Sequence, residues 1–144
     1  VSALPDVYRL SEDHAEMQID VIHAYLARSY WAEGIPRETV ARAVADSHVV
    51  GVFSGDRQVG FARVVTDHAT FAYLADVFVL EEARGRGLAR AMVLHLQTHP
   101  RLQGLRRWLL ATRDAHPLYA SFGWTALADP TLMMQRHDPD VYRR

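Results

Sequence analysis

Residues 71–90 read Phe71-Ala-Tyr-Leu-Ala-Asp76-Val-Phe-Val-Leu80-Glu-Glu-Ala-Arg84-Gly-Arg-Gly87-Leu-Ala-Arg90. Ten mostly apolar residues predict a buried strand. Glu81 to Ala83 make a short connection, and the glycine-rich turn that follows opens a helix. The first amides of a helix lack acceptors within it, and the macrodipole adds partial positive charge there. Two glycines let a phosphate approach the main chain. Arg84, Arg86 and Arg90 flank the turn, although cations at a helix N-terminus are disfavoured. An anionic ligand resolves that conflict through charge pairing. The stretch thus predicts a cradle for a phosphorylated cofactor at the end of a central strand.

The chain before this stretch predicts a short first strand, Val7 to Leu10. A first helix follows, with Ser11 or Asp13 as N-cap, Glu16 completing a capping box, and Ala15, Ile19, Ile22 and Leu26 at helical spacing. It should end near Ser29 or Tyr30. A loop runs from Ser29 to Pro36, and a short second helix carries Val40 and Val44 to about Asp46. His48 to Phe53 and Gln58 to Thr66 are strands around a Ser54–Arg57 turn, and Asp67 to Thr70 turns the chain into the central strand. These three strands form an antiparallel meander.

After the glycine turn, the helix should continue to about Thr98, where Pro100 blocks it. Leu88, Met92 and Leu96 can face the sheet. Arg106 to Ala111 is the next strand. A strand, a crossing helix and another strand imply a parallel pair. A short helix containing Tyr119 follows, then expected strands at Phe122–Thr125 and Leu132–Arg136 and a polar tail. Repeats and linkers are absent, so residues 1–144 form a single domain.

Bulk properties exclude several classes. The 144 residues, 49% hydrophobic and 23% charged, suit one ordinary globular core. Apolar runs of about ten residues are too short to span a bilayer, and no signal-like segment opens the chain. A cytoplasmic protein without membrane partners is expected. A net charge of −1 gives no general attraction to nucleic acid. The sequence has no cysteine, which excludes disulfides, thiolate zinc sites and a cysteine nucleophile. All 16 basic residues are arginine, and a lysine-dependent phosphate loop or Schiff base is therefore excluded. Missing lysine and asparagine fit a GC-rich, bacterial genome.

Asp76 stands alone as a charge within its strand. Burial of an unpaired carboxylate is costly, and desolvation would raise its pKa towards that of a general base. A structural aspartate bonded to backbone or to Arg63 is the equal alternative. Tyr119 has a phenol able to protonate a leaving group, and its loop emerges on the same sheet edge as the glycine turn. Tyr30, Trp31 and Glu33 could wall an acceptor pocket, but an aromatic plug with a solvated glutamate is the simpler expectation. Gly85-Arg-Gly87 fits a dinucleotide fingerprint poorly, because Arg90 stands where a small residue is needed. His95 and His99 have metal-capable helical spacing. No glutamate follows His95 and no third ligand is evident in the sequence, so no metal is expected.

Three segments together resemble the GCN5-related N-acetyltransferase (GNAT) family. Arg84-Gly-Arg-Gly87-Leu-Ala89 matches the family's Arg/Gln-x-x-Gly-x-Gly/Ala signature. Ala75-Asp-Val-Phe-Val79 resembles its cofactor strand. Leu118-Tyr-Ala-Ser-Phe-Gly-Trp124 resembles its Tyr-x-x-x-Gly-Phe segment, with tryptophan replacing phenylalanine. The resemblance implies an α/β fold of α+β type. Its single mixed, mostly antiparallel sheet would have six or seven strands and about four flanking helices, with splayed parallel central strands that admit acetyl-CoA. By the same resemblance, the main chain of Val77, Phe78 and Val79 would hold the pantetheine arm and thioester. Arg84 and the amides of Gly85, Arg86, Gly87, Leu88, Ala89 and Arg90 would hold the pyrophosphate. Tyr119 would be the general acid. Ala75 stands where many relatives have glutamate, leaving Asp76 or a water chain as base, and Thr112 replaces a common asparagine.

The expected activity is acetyl transfer from acetyl-CoA, the donor cosubstrate, to a primary amine of a small molecule or peptide. The alternative is a non-catalytic acyl-CoA-binding sensor or scaffold. An exposed edge strand leaves a homodimer open.

Overall fold

The structure is a computed structural model that describes residues 4–143. Residues 1–3 and 144, part of the expected single domain, lie outside the described residues. Five strands form one sheet in the order β1-β2-β3-β4-β5: β1 Tyr8–Ser11, β2 His48–Ser54, β3 Arg57–Thr66, β4 Phe71–Val79 and β5 Arg107–Leu109. Neighbours from β1 to β4 are antiparallel, and β5 lies parallel to β4. Four helices flank them: α1 Ile19–Leu26, α2 Arg37–Ala45, α3 Leu88–Gln97 and α4 His116–Ala120. No described helix is long and apolar enough to cross a membrane.

The sheet buries both faces. Val50, Val52, Ala62, Val64, Ala72 and Leu74 meet Leu88, Met92 and Leu96 of α3. On the other face, Val49, Phe53, Phe61 and Phe78 meet Ile22 and Leu26 of α1 and Val40 and Val44 of α2. The four-residue repeat Leu88, Met92, Leu96 is fully used, with each residue no more than 2% exposed. Gly60 lets α3 approach β3, because a Cβ there would sit 3.3 Å from Met92 Cε and from the Phe78 carbonyl oxygen.

Three sequence expectations give way. Among the described residues the sheet has five strands rather than six or seven. At Phe122–Trp124 the chain folds back: the amides of Phe122 and Trp124 donate to the Tyr119 carbonyl at 2.9 and 3.2 Å. Trp124 Nε1 donates to Gln97 Oε1 at 2.9 Å. The expected strand at Leu132–Arg136 is displaced by a 3-10 turn, Pro130–Leu132, which Asp129 caps. Leu132 and Met134 there are 74% and 96% exposed, so no packing holds the segment extended.

The first helix also starts later than its capping box suggests. Asp13 caps only a 3-10 turn, His14–Glu16. Gln18 and Gln58 then exchange two hydrogen bonds, from each backbone amide to the other's side-chain oxygen, at 2.8 and 3.1 Å. This tether to β3 holds Met17–Gln18 extended, and α1 begins at Ile19 and stops at Leu26. Finally, β5 is three residues long and α3 ends at Gln97, so His99 lies beyond the helix.

Candidate cofactor and acceptor site

The site begins where β4 and β5 part. Their parallel pairing covers only Phe71, Ala72 and Tyr73 opposite Arg107, Trp108 and Leu109. From Leu74 to Val79, β4 continues without β5, which leaves one main-chain edge open beside Val77, Phe78 and Val79. On its other edge β4 is paired with β3, but the register slips between Phe61 and Arg63. Asp76 sits in that bulge with φ of 55°, a left-handed conformation that aspartate tolerates better than bulky residues do.

The strand ends at the glycine turn. Gly85 and Gly87 have φ of 77° and 75°, which favours glycine, and a Cβ at either would meet nothing within 4 Å. Gly87 caps α3 without a side-chain hydrogen bond. Among the described residues, the amides of residues 85–90 have no acceptor, and the first α3 bond to the turn is Ala91 N–H to the Gly87 carbonyl at 3.0 Å. Six donors therefore stand unpartnered along the turn, where Gly85, Arg86 and Gly87 are exposed.

Three guanidinium groups surround these donors, each held by neutral partners. Arg84 donates from Nε to the Val79 carbonyl and from Nη2 to the Tyr25 hydroxyl, both at 3.1 Å. Arg86 donates to the Tyr8 hydroxyl. Arg90 lies 4.7 Å over the Phe122 ring and donates to Ser121 Oγ at 3.2 Å. No described carboxylate pairs with any of the three. Positive charge, free amides and open glycines thus converge on one turn, an arrangement suited to phosphate.

Tyr119 is 8% exposed and packs in the cluster under α3, with its ring centroid 5.9 Å from that of Trp124. Its hydroxyl has no hydrogen-bond partner among the described residues, nor is it sealed from solvent. Burial pushes its pKa up from the ordinary tyrosine value, and the neighbouring Tyr30 phenol adds to the shift. Tyr119 therefore keeps its proton at neutral pH. Thr112, in the position of the common asparagine, uses its hydroxyl to cap the approach to α4 by accepting from Ala115 N–H at 3.1 Å.

Asp76 is held from the other face. Its Oδ2 accepts from Arg63 Nε at 2.6 Å and its Oδ1 from Trp31 Nε1 at 2.8 Å. Arg63 also donates to Ser47 Oγ at 3.2 Å. Both oxygens are engaged, although a carboxylate retains further lone pairs. Asp76 and Tyr119 are not bonded to each other.

The Ser29–Pro36 loop is more than a buried plug. Trp31 reaches Asp76, and the Tyr30 hydroxyl accepts from the Arg113 amide at 3.0 Å while the Arg113 guanidinium lies 3.9 Å over its ring. The loop thereby spans from the bulge to the β5–α4 connection. Glu33 is exposed and has no partner among the described residues. Tyr25 stacks on Phe78 with centroids 4.2 Å apart. Tyr8 and Tyr25 escaped the sequence reading, since their arginine partners lie 78 and 59 residues away.

Comparison with known proteins converges on one family. The model of the "Acetyltransferase (GNAT) family" matches residues 7–124. A protein of Gibberella zeae with a provisional acetyltransferase name is 33% identical, over 78% of this chain and 75% of that protein. A crystal structure from Xanthomonas campestris pv. campestris, provisionally described as a GNAT acetyltransferase, is 46% identical. It superposes with a TM-score of 0.94, covering 99% of this chain and 100% of that one. A Clostridium acetobutylicum protein described as a predicted acetyltransferase with acetyl-CoA shares the fold at a TM-score of 0.64 and 15% identity, over 90% of this chain and 94% of its own.

Proposed function

Because the chain belongs to the acetyltransferase (GNAT) family, we propose that it transfers the acetyl group of acetyl-CoA to a primary amine of a small molecule or peptide. The observation that carries this reading is the glycine turn. Among the described residues, six unpartnered amides and three arginines without carboxylate partners stand at the end of a strand whose edge is open. A cytoplasmic setting goes with this reading.

When bound, acetyl-CoA supplies an activated acetyl carbonyl and a thiolate leaving group. The amides of residues 85–90, with Arg84, bind the pyrophosphate. The main chain of Val77, Phe78 and Val79 orients the pantetheine arm, and an amide near Phe78 donates to the carbonyl oxygen as charge develops there. Tyr119 holds a proton on its phenol oxygen and yields it to the departing sulfur. Asp76, on the opposite face, takes the acceptor's ammonium proton through water on a remaining lone pair. The amine attacks directly, since the chain has no cysteine to carry the acetyl group.

One observation favours a second reading. Both oxygens of Asp76 are engaged, as they would be in an acyl-CoA-binding module without turnover. Thiol release from acetyl-CoA across a panel of amines separates the two. Turnover with at least one amine supports the enzyme. Tight binding without turnover, with Tyr119→Phe harmless, supports the sensor. Calorimetry of Arg86→Glu should show acetyl-CoA binding weakened by about tenfold or more. Unchanged affinity would remove the pyrophosphate from this turn.

A further inference from the structure

At the other end of the sheet, a second constellation lies outside everything described for acetyl transfer. His48 opens β2, and β3 and β4 are joined by the nearby turn that carries His68. Four histidines and one glutamate, drawn from four segments of the chain, meet there. His48 Nε2 lies 2.6 Å from Glu12 Oε1, His99 Nε2 lies 3.0 Å from the same oxygen, and His95 Nε2 lies 3.0 Å from Oε2. One ligand atom from each of Glu12, His48 and His99 falls within 4.8 Å of the others. His48 Nδ1 is 3.1 Å from His68 Nε2. Glu12, His48 and His68 line a cavity of about 380 Å³ together with Ser47, Thr66 and Arg101.

We propose that this cluster is a zinc site, with Glu12, His48 and His99 as ligands and the fourth position left to water. Imidazole and carboxylate are the donors zinc takes when thiolate is absent. With bonds of about 2.0–2.1 Å, a tetrahedron sets its ligand atoms roughly 3.3–3.4 Å apart. Glu12 Oε1 lies 2.6 Å from His48 Nε2 and 3.0 Å from His99 Nε2, so both rings need move only slightly outward from it to reach that figure. The metal takes the place of the ring protons that now point at one carboxylate. His68 supplies the outer partner that metal-bound histidines commonly have. Once Nε2 of His48 is on zinc, its Nδ1–H donates to His68. His99 changes in the same sense. Its Nδ1 now accepts from the Arg101 amide at 3.1 Å, and it becomes a donor when Nε2 binds metal, so that cap opens.

The site would staple the β1–α1 connection, β2 and the segment after α3, three pieces far apart in sequence. It is independent of acetyl-CoA, whose proposed cradle lies at the opposite end of β4.

The test uses tag-free, chelator-treated full chain titrated with Zn²⁺ by calorimetry, and with Co²⁺ followed by visible absorption. We expect one Zn²⁺ per chain, tetrahedral Co²⁺ bands, a higher Tm with zinc and a displaced amide resonance for Arg101. Glu12→Gln, which conserves shape at a half-exposed side chain, and His48→Gln should each weaken binding about a hundredfold or more. His137→Gln, in the exposed tail, should leave it unchanged. Circular dichroism checks folding, and Glu12→Gln decides the matter if His48→Gln does not fold. The proposal is overturned by the absence of stoichiometric binding, or by affinity that Glu12→Gln leaves intact.

Discussion

Tyr119 owes its proposed role to its surroundings. Burial raises its pKa, so the phenol holds its proton through the neutral range and loses it only above the ordinary value of 10.0. In a pH–rate profile, any alkaline limb due to Tyr119 should therefore fall above that pH and vanish in Tyr119→Phe. That variant should lower kcat by about 10²–10⁴-fold and leave acetyl-CoA affinity near wild type, as steady-state kinetics beside calorimetry can check. Asp76→Ala should act differently. It strips Arg63 and Trp31 of a shared acceptor, so Tm and turnover should fall together. At this scale the sequence was informative where one residue type has a local reason to be present. Gly85 and Gly87 are favoured by their own φ angles, and Asp76 is conspicuous in an apolar strand. Glu12, Tyr8 and Tyr25 are silent in sequence, because their meaning lies in partners brought near only by the fold.

Among the elements, the turn between β3 and β4 depends on one carboxylate. Asp67 accepts from the amides of Thr70 at 2.8 Å, Ala69 at 2.9 Å and Phe71 at 3.2 Å, and from Thr70 Oγ1 at 2.7 Å. These bonds, the Thr70 amide first, hold its pKa well below the carboxylate range. A lowered folded pKa means stability that is complete above the unfolded value and is lost as pH falls through the folded one. Asp67→Asn should thus lower Tm at neutral pH, with the gap to wild type closing in strong acid. Thermal melts across pH would show it. The meander and α3 were legible because alternation, turn residues and four-residue spacing all agree there. The C-terminal strands were not. Leu132-Met-Met134 has strand-like composition, but Asp129-Pro130 builds a turn in front of it and no face of the core receives it. The start of α1 was misread for the complementary reason, a local cap overruled by the paired glutamines.

For the molecule as a whole, stability rests on two apolar layers that share one sheet. Leu96 is fully buried in the layer under α3, and Leu96→Ala should cost about 2–5 kcal/mol, measurable by chemical denaturation. Such a loss is a large share of the 5–15 kcal/mol typical of a domain. The two layers also depend on the counting of residues along β4. Ala72 and Leu74 point into the α3 layer, yet Phe78, at an even number too, points into the α1–α2 layer. The extra residue in the bulge reverses the parity of the strand at Asp76. Straightening the strand through the bulge, with no residue removed, would therefore do more than any substitution. It would restore simple alternation, turn Phe78 away from Tyr25 and Phe61, and bring Val79 round to the face Phe78 had left. The open edge of the strand would then meet its ligand with inside and outside exchanged.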